Sequence, residues 1–149
     1  MIREEDAVVL MVDDDPDDRL IAEEAFAEVG LKAQLFFLSD GEQLLDYLNR
    51  RGKYADPATS PSPNLVLLDI NMPRLSGMEV LAKLKSDPAT RAIPVAMLTN
   101  SGESRTVKAC YELGASSYIR KPLQFQDLVH SLSNIRHYWL ETVSYPDRE

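Results

Sequence analysis

The sequence predicts a doubly wound α/β fold: a five-stranded parallel sheet with helices on both faces. Two observations predict it. Five strand-like runs alternate with five helix-like runs along the 149 residues. The strand runs are also continuously apolar rather than alternating, as expected of a sheet covered on both sides.

The elements follow in order. Val8–Val12 is an unbroken apolar run and reads as the first strand. Asp15 then supplies an N-cap, Pro16 fits the first helical turn and Gly30 marks the stop. Within that helix Ala22, Phe26 and Val29 fall at i, i+4 and i+7. Gln34–Leu38 is the second strand. Ser39 with Glu42 three residues on forms a capping-box pattern for a second helix carrying Leu44, Leu45 and Leu48. Leu65–Leu68 is the third strand, and Ser76 with Glu79 repeats the box for a helix carrying Met78, Leu81 and Leu84 that stops before Pro88. Val95–Leu98 is the fourth strand, followed by a helix over about 104–113 closed by Gly114. Ser117–Ile119 is the fifth, followed by a helix from about Gln124 into the tail. The whole chain, 1–149, reads as a single domain with a helical or extended tail from about residue 134.

In such sheets ligands sit beyond the carboxyl ends of the strands. The first strand runs straight into acid, in VVLMVDDDPDD. Asp13 and Asp14 end it, Asp69 ends the third strand, Thr99 the fourth, and Lys121 follows the fifth. Clustered carboxylates repel one another and are costly to bury without a cation. Together they form a hard oxygen site, for which Mg²⁺ is the expected ion. A divalent cation, an ammonium and a hydroxyl suit a phosphoryl group. No better nucleophile than a carboxylate is present, so Asp69 is the candidate acceptor. Asp15, Asp17 and Asp18 read instead as first-turn helix acids, favoured by capping and the macrodipole.

Composition narrows the class. A net charge of −8 argues against binding a nucleic-acid backbone. The single cysteine, Cys110, cannot form an internal disulfide and points to a reducing, cytoplasmic location. It lies with Val107 and Leu113 and reads as packing. A metal role for His130 and His137 is not expected. No apolar stretch approaches the ~20 residues needed to cross a bilayer, and the acidic N-terminus carries no signal peptide.

These motifs, in this order and over about Val8 to Leu132, resemble the receiver domains of two-component response regulators, which have a flavodoxin-like fold. The acidic pair, LLDINMPRLSG, LTNS and SYIRKP carry the resemblance. It implies a signalling switch that catalyses only its own phosphorylation and dephosphorylation. A histidine kinase would phosphorylate Asp69. Asp14 would ligate Mg²⁺ directly, Asp13 would help through water, and Asn71 would add its backbone carbonyl. Thr99 would follow the phosphoryl group, Lys121 would pair with it, Tyr118 would turn inward, and the Lys121–Pro122 peptide would be cis. Asn100 departs from the pattern, which more often has a small residue there. No DNA-binding or enzymatic domain is appended, so a stand-alone receiver is expected. A downstream histidine phosphotransfer protein is a possible recipient.

Two rivals differ in class. A Mg²⁺-dependent aspartyl-phosphate phosphohydrolase would commonly carry a second acid two residues after the nucleophile, where this chain has Asn71. A non-phosphorylated pseudo-receiver binding module would not need Asp13, Asp14, Asp69, Thr99 and Lys121 together.

The long connection RGKYADPATSPSPN and the aromatic tail resemble the regulators that partner bacterial phytochrome histidine kinases. In the tail, Leu128, Leu132, Ile135 and Trp139 form one helical stripe. Tyr138, Leu140, Val143 and Tyr145 are then expected to face water. Such clusters usually mark an interface, so a homodimer through the tail is expected.

Overall fold

The computed structural model describes residues 3–99 and 104–142. Five parallel strands form one sheet in the order β2-β1-β3-β4-β5. They are β1 (Val8–Val12), β2 (Gln34–Leu38), β3 (Leu65–Leu68), β4 (Val95–Thr99) and β5 (Ser117–Arg120). The helices are α1 (Pro16–Val29), α2 (Gly41–Leu48), α3 (Gly77–Ser86), α4 (Ser104–Glu112) and α5 (Phe125–Ile135). This is the predicted doubly wound fold.

Strand periodicity divides the core into two layers. Val9, Met11, Leu65, Leu67, Ala96 and Leu98 pack toward α1 and α5, against Ala22, Phe26, Leu128 and Leu132. Their neighbours Leu10, Val12, Val66, Leu68, Val95 and Met97 point the other way, onto Leu44, Val80, Leu81 and Cys110 of α2, α3 and α4. Both faces are thereby dry, which is why the strands read as solid apolar runs. Cys110 is fully buried, as its packing role requires.

The helix starts follow local chemistry. Asp15 caps α1 by accepting from the Asp17 and Asp18 N–H groups, and Gly30 closes it at φ 77°. Ser76 and Glu79 form the expected reciprocal box on α3. The α2 start is shifted by one residue. Asp40, not Ser39, is the N-cap and accepts from the Gln43 N–H, while the Gln43 side chain accepts from the Ser39 N–H. The long α2–β3 connection is pinned, with Arg50 donating to the Ser60 carbonyl and the Ser62 hydroxyl and Tyr47 to the Pro61 carbonyl.

The tail corrects one expectation. Leu128, Leu132, Ile135 and Trp139 are buried as one stripe, and Tyr138 is exposed, as the spacing predicts. Leu140, however, is also buried. The chain leaves α5 into a π-helix, Arg136–Thr142. Bonding i→i+5 widens the turn and brings residue 140 back under Ile135, where an α-helix would have turned it outward. Arg136 fastens this segment, its guanidinium meeting Glu4 at 3.0 Å and the Val29 carbonyl at 3.0 Å. Val143, Tyr145 and Asn100 lie outside the described residues. Among the described residues no helix is long and apolar enough to cross a membrane.

Candidate functional site

The site is built at the carboxyl ends of β1, β3, β4 and β5 by the sheet's own hydrogen bonding. The Asp13 N–H donates to the Leu38 carbonyl at 3.1 Å, and the Asp69 N–H to the Val12 carbonyl at 3.0 Å. Strand pairing thus places the two carboxylates side by side. The Lys121 N–H donates to the Thr99 carbonyl at 2.6 Å, which brings the lysine to the same mouth. Behind Asp69 the chain folds tightly, with the Gly77 N–H returning to the Ile70 carbonyl at 2.9 Å.

Asp13, Asp14 and Asp69 each offer a carboxylate oxygen within 4.8 Å of the others. Asp13, Asp69 and Thr99 are buried, and Asp14 is the most solvent-accessible of the three acids. Three oxygen anions around one small space, two of them buried, fit a hard divalent cation. Lys121 supplies the protein's own counter-charge, with Nζ 2.6 Å from Asp13 Oδ2, 3.6 Å from Asp18 Oδ2 and 4.0 Å from Asp69 Oδ2.

The charges follow this geometry. Burial pushes the Asp69 carboxyl up to about 6; Lys121 opposes that rise, Asp13 and Asp14 add to it, and a backbone hydrogen bond from Asn71 lowers it. Burial works against the Lys121 ammonium, but the hydrogen bond to Asp13 and the charges of Asp69, Asp13 and Asp18 outweigh it and raise its pKa. Burial likewise raises the Asp18 carboxyl, with Lys121 opposing.

Asp13, Asp14, Asp69, Thr99 and Lys121 lie together at this edge, and one expectation is corrected. No peptide bond among the described residues is cis, so Lys121–Pro122 is trans. A trans X–Pro bond is the intrinsically favoured form, and Lys121 reaches Asp13 from it. Tyr118 is half-buried against the α2–α4 layer, and its N–H donates to the Tyr111 hydroxyl at 3.1 Å. Asn71 follows Asp69 by two residues and is exposed.

Two residues escaped the sequence reading. Arg19 donates to the Asp13 carbonyl at 2.6 Å, and Asp18 pairs with Lys121. Both lie in the first turn of α1, where charged residues are ordinarily explained by the helix alone. Their only sequence signal is that this turn follows directly on the acidic strand end.

The response regulator receiver domain model matches residues 9–133. The chain is 37% identical over 139 residues to response regulator Rcp1 of Synechocystis, covering 93% of this chain and 92% of that protein. The structure of response regulator RPA3017, in red light signaling of R. palustris, superposes with a TM-score of 0.91 at 38% identity, over 95% of this chain and 99% of that one. The phosphorylated cyanobacterial phytochrome response regulator RcpA superposes at 0.87 with 32% identity, over the same 95% and 99%. A Mn²⁺-bound form of Rcp1 superposes at 0.83 with 37% identity, again over 95% and 99%.

Proposed function

The chain belongs to the response regulator receiver domain family, and from that premise we propose that it is a phosphoacceptor switch downstream of a phytochrome-type histidine kinase. The observation that carries the reading is one buried carboxylate, Asp69, set between two further acids and a lysine at the sheet's carboxyl edge. An Asp69 oxygen attacks the phosphorus of a phosphohistidine. The P–N bond breaks, the imidazole leaves with the electron pair, and Asp69 becomes an acyl phosphate. Lys121 pairs with the phosphoryl oxygens and the Thr99 hydroxyl approaches them. Asp13, Asp14, Asp69 and the Asn71 carbonyl would hold Mg²⁺, which when bound neutralises charge on the transferring group. Similarity to RPA3017 and RcpA supports the kinase class, and Mn²⁺ in Rcp1 supports a divalent ion. Transfer of label from an autophosphorylated bacterial phytochrome kinase tests the reading. Label should move to this chain, and its retention on the kinase would contradict the proposal.

Metal binding depends on Asp14, the acid most open to solvent. Asp14→Ala is expected to lose Mg²⁺ binding by calorimetry, and unchanged affinity would remove Asp14 from the site. The switch runs through Thr99 and Tyr118, as a population shift between two packings. Phosphoryl charge draws Thr99 inward and Tyr118 follows. Beryllofluoride with Mg²⁺ should therefore shift the Tyr118 ring resonances in the wild type. In Thr99→Ala the mimic should bind but leave them in place; an equal shift would break the coupling.

The working form is a single cytoplasmic domain, a homodimer through its tail, with no nucleic-acid partner and a histidine phosphotransfer protein as a further recipient, in keeping with its acidity and with Tyr138 exposed edge-on to Trp139. Because Trp139 and Leu140 belong to the subunit's own core, the contact falls to Tyr138, Val143 and Tyr145. Light scattering should find a dimer for the full chain and a monomer once residues 143–149 are removed. A monomeric full chain would refute the dimer.

A further inference from the structure

Asp18 is explained as a helix acid by its position, yet its carboxylate lies on the Lys121 ammonium. Three carboxylates compete for that cation, and the acceptor is the farthest of them: Asp13 at 2.6 Å, Asp18 at 3.6 Å and Asp69 at 4.0 Å. The lysine therefore rests toward α1. We infer that Asp18 is a positioning residue that holds Lys121 away from Asp69, limiting how readily the site takes up a phosphoryl group and how long it keeps one. This rests on the reading of Asp69 as phosphoacceptor.

The backbone beneath Asp18 is fixed. Asp18 is the third residue of α1, its N–H faces Asp15 Oδ1 at 3.4 Å, and the next residue, Arg19, is tied to the Asp13 carbonyl. Its carboxylate is thus presented to the site from one side. A cation on Asp13 would take the lysine's shortest partner, leaving Asp18 and Asp69 to divide the ammonium, with Asp18 the nearer. Lys121 and Asp18 both line a cavity of about 350 Å³ between α1 and the start of α5, so open space adjoins the pair. The Asp18 side chain is 40% exposed, which makes the pull modest, as for other solvent-screened pairs. Asp18 is therefore a tuner of the site rather than a requirement.

Beryllofluoride affinity at saturating Mg²⁺, read by amide NMR, tests this. Asp18→Asn and Asp18→Ser should each bind about two- to fivefold more tightly than wild type, the range of a screened ion pair. Their acyl phosphates should live longer by a similar factor. Asp17→Asn, which removes an equal charge from the exposed neighbour, should match wild type. In a Lys121→Met background Asp18→Asn should bring no gain. Unchanged or weaker binding in both Asp18 variants would overturn the inference. An equal gain in Asp17→Asn or in the Lys121→Met background would do the same, since the charge would then act without the lysine. A wild type that binds no beryllofluoride would instead refute the phosphoacceptor reading, and the inference with it.

Discussion

Asp69→Asn is expected to be more stable than the wild type in metal-free buffer at pH 8, by about 3 kcal/mol, although it removes the proposed acceptor. The reason is burial. The folded protein holds the Asp69 carboxyl up to about 6, against an ordinary value of 3.8. A rise of that size corresponds to about 3 kcal/mol once the group is ionised. Between about pH 4 and pH 6 the folded chain keeps this proton while the unfolded chain has lost it. The folded state then binds more protons, so stability falls as pH rises through that window. Above it the whole penalty is present. Asparagine has no proton to lose, so the two proteins should match below about pH 4 and diverge toward pH 6. Thermal melts across pH, without divalent ions, check this; for a chain of this size the gap should be about 5 °C or more at pH 8. Saturating Mg²⁺ should narrow it by stabilising the wild type. Identical melts at every pH would mean that Asp69 is not a strained anion in the folded state.

Gly77→Ala should damage both stability and the site. Gly77 opens α3 and lies directly against the turn that carries Asp69. A Cβ there would collide with the Asp69 carbonyl and come within 2.8 Å of the Ile70 Cα and 2.9 Å of the Asp69 carbonyl carbon. All of these are backbone atoms, so no rotamer change relieves the overlap. The turn must shift and take Asp69 with it. Overpacking of this kind should cost about 3 kcal/mol, read as a lower urea midpoint. Because Asp69 moves, beryllofluoride affinity should fall as well. Wild-type stability and affinity in Gly77→Ala would contradict the close packing that positions Asp69.

Much of this was legible in the chain because the signals are local. Asp15, Pro16 and Gly30 act within a turn of their helix, and Ser76 reaches only Glu79. The strand ends were legible for a related reason. Once the parallel order is accepted, Asp13, Asp69, Thr99 and Lys121 must share one edge. The missed features depend on geometry that spacing does not carry. Two adjacent residues, Ser39 and Asp40, both could cap α2, and the choice fell to the carboxylate that meets the Gln43 N–H. Leu140 turned inward because the last turn widens to i→i+5 bonding, whereas a constant helical period puts it outside. The Lys121–Pro122 bond is trans, and nothing adjacent to it in sequence distinguishes the isomers. The Asp18–Lys121 pair joins the two ends of the chain, and a first-turn aspartate looks the same with or without such a partner.

On the proposed reading Asp69 accepts a phosphoryl group and retains it. Intact mass after incubation with Mg²⁺ and a small phosphodonor such as acetyl phosphate tests it most directly. The wild type should gain a single phosphoryl group, absent without Mg²⁺ and absent in Asp69→Asn. An unmodified wild type, continuous turnover of donor without accumulation of modified protein, or a modified Asp69→Asn would each contradict it.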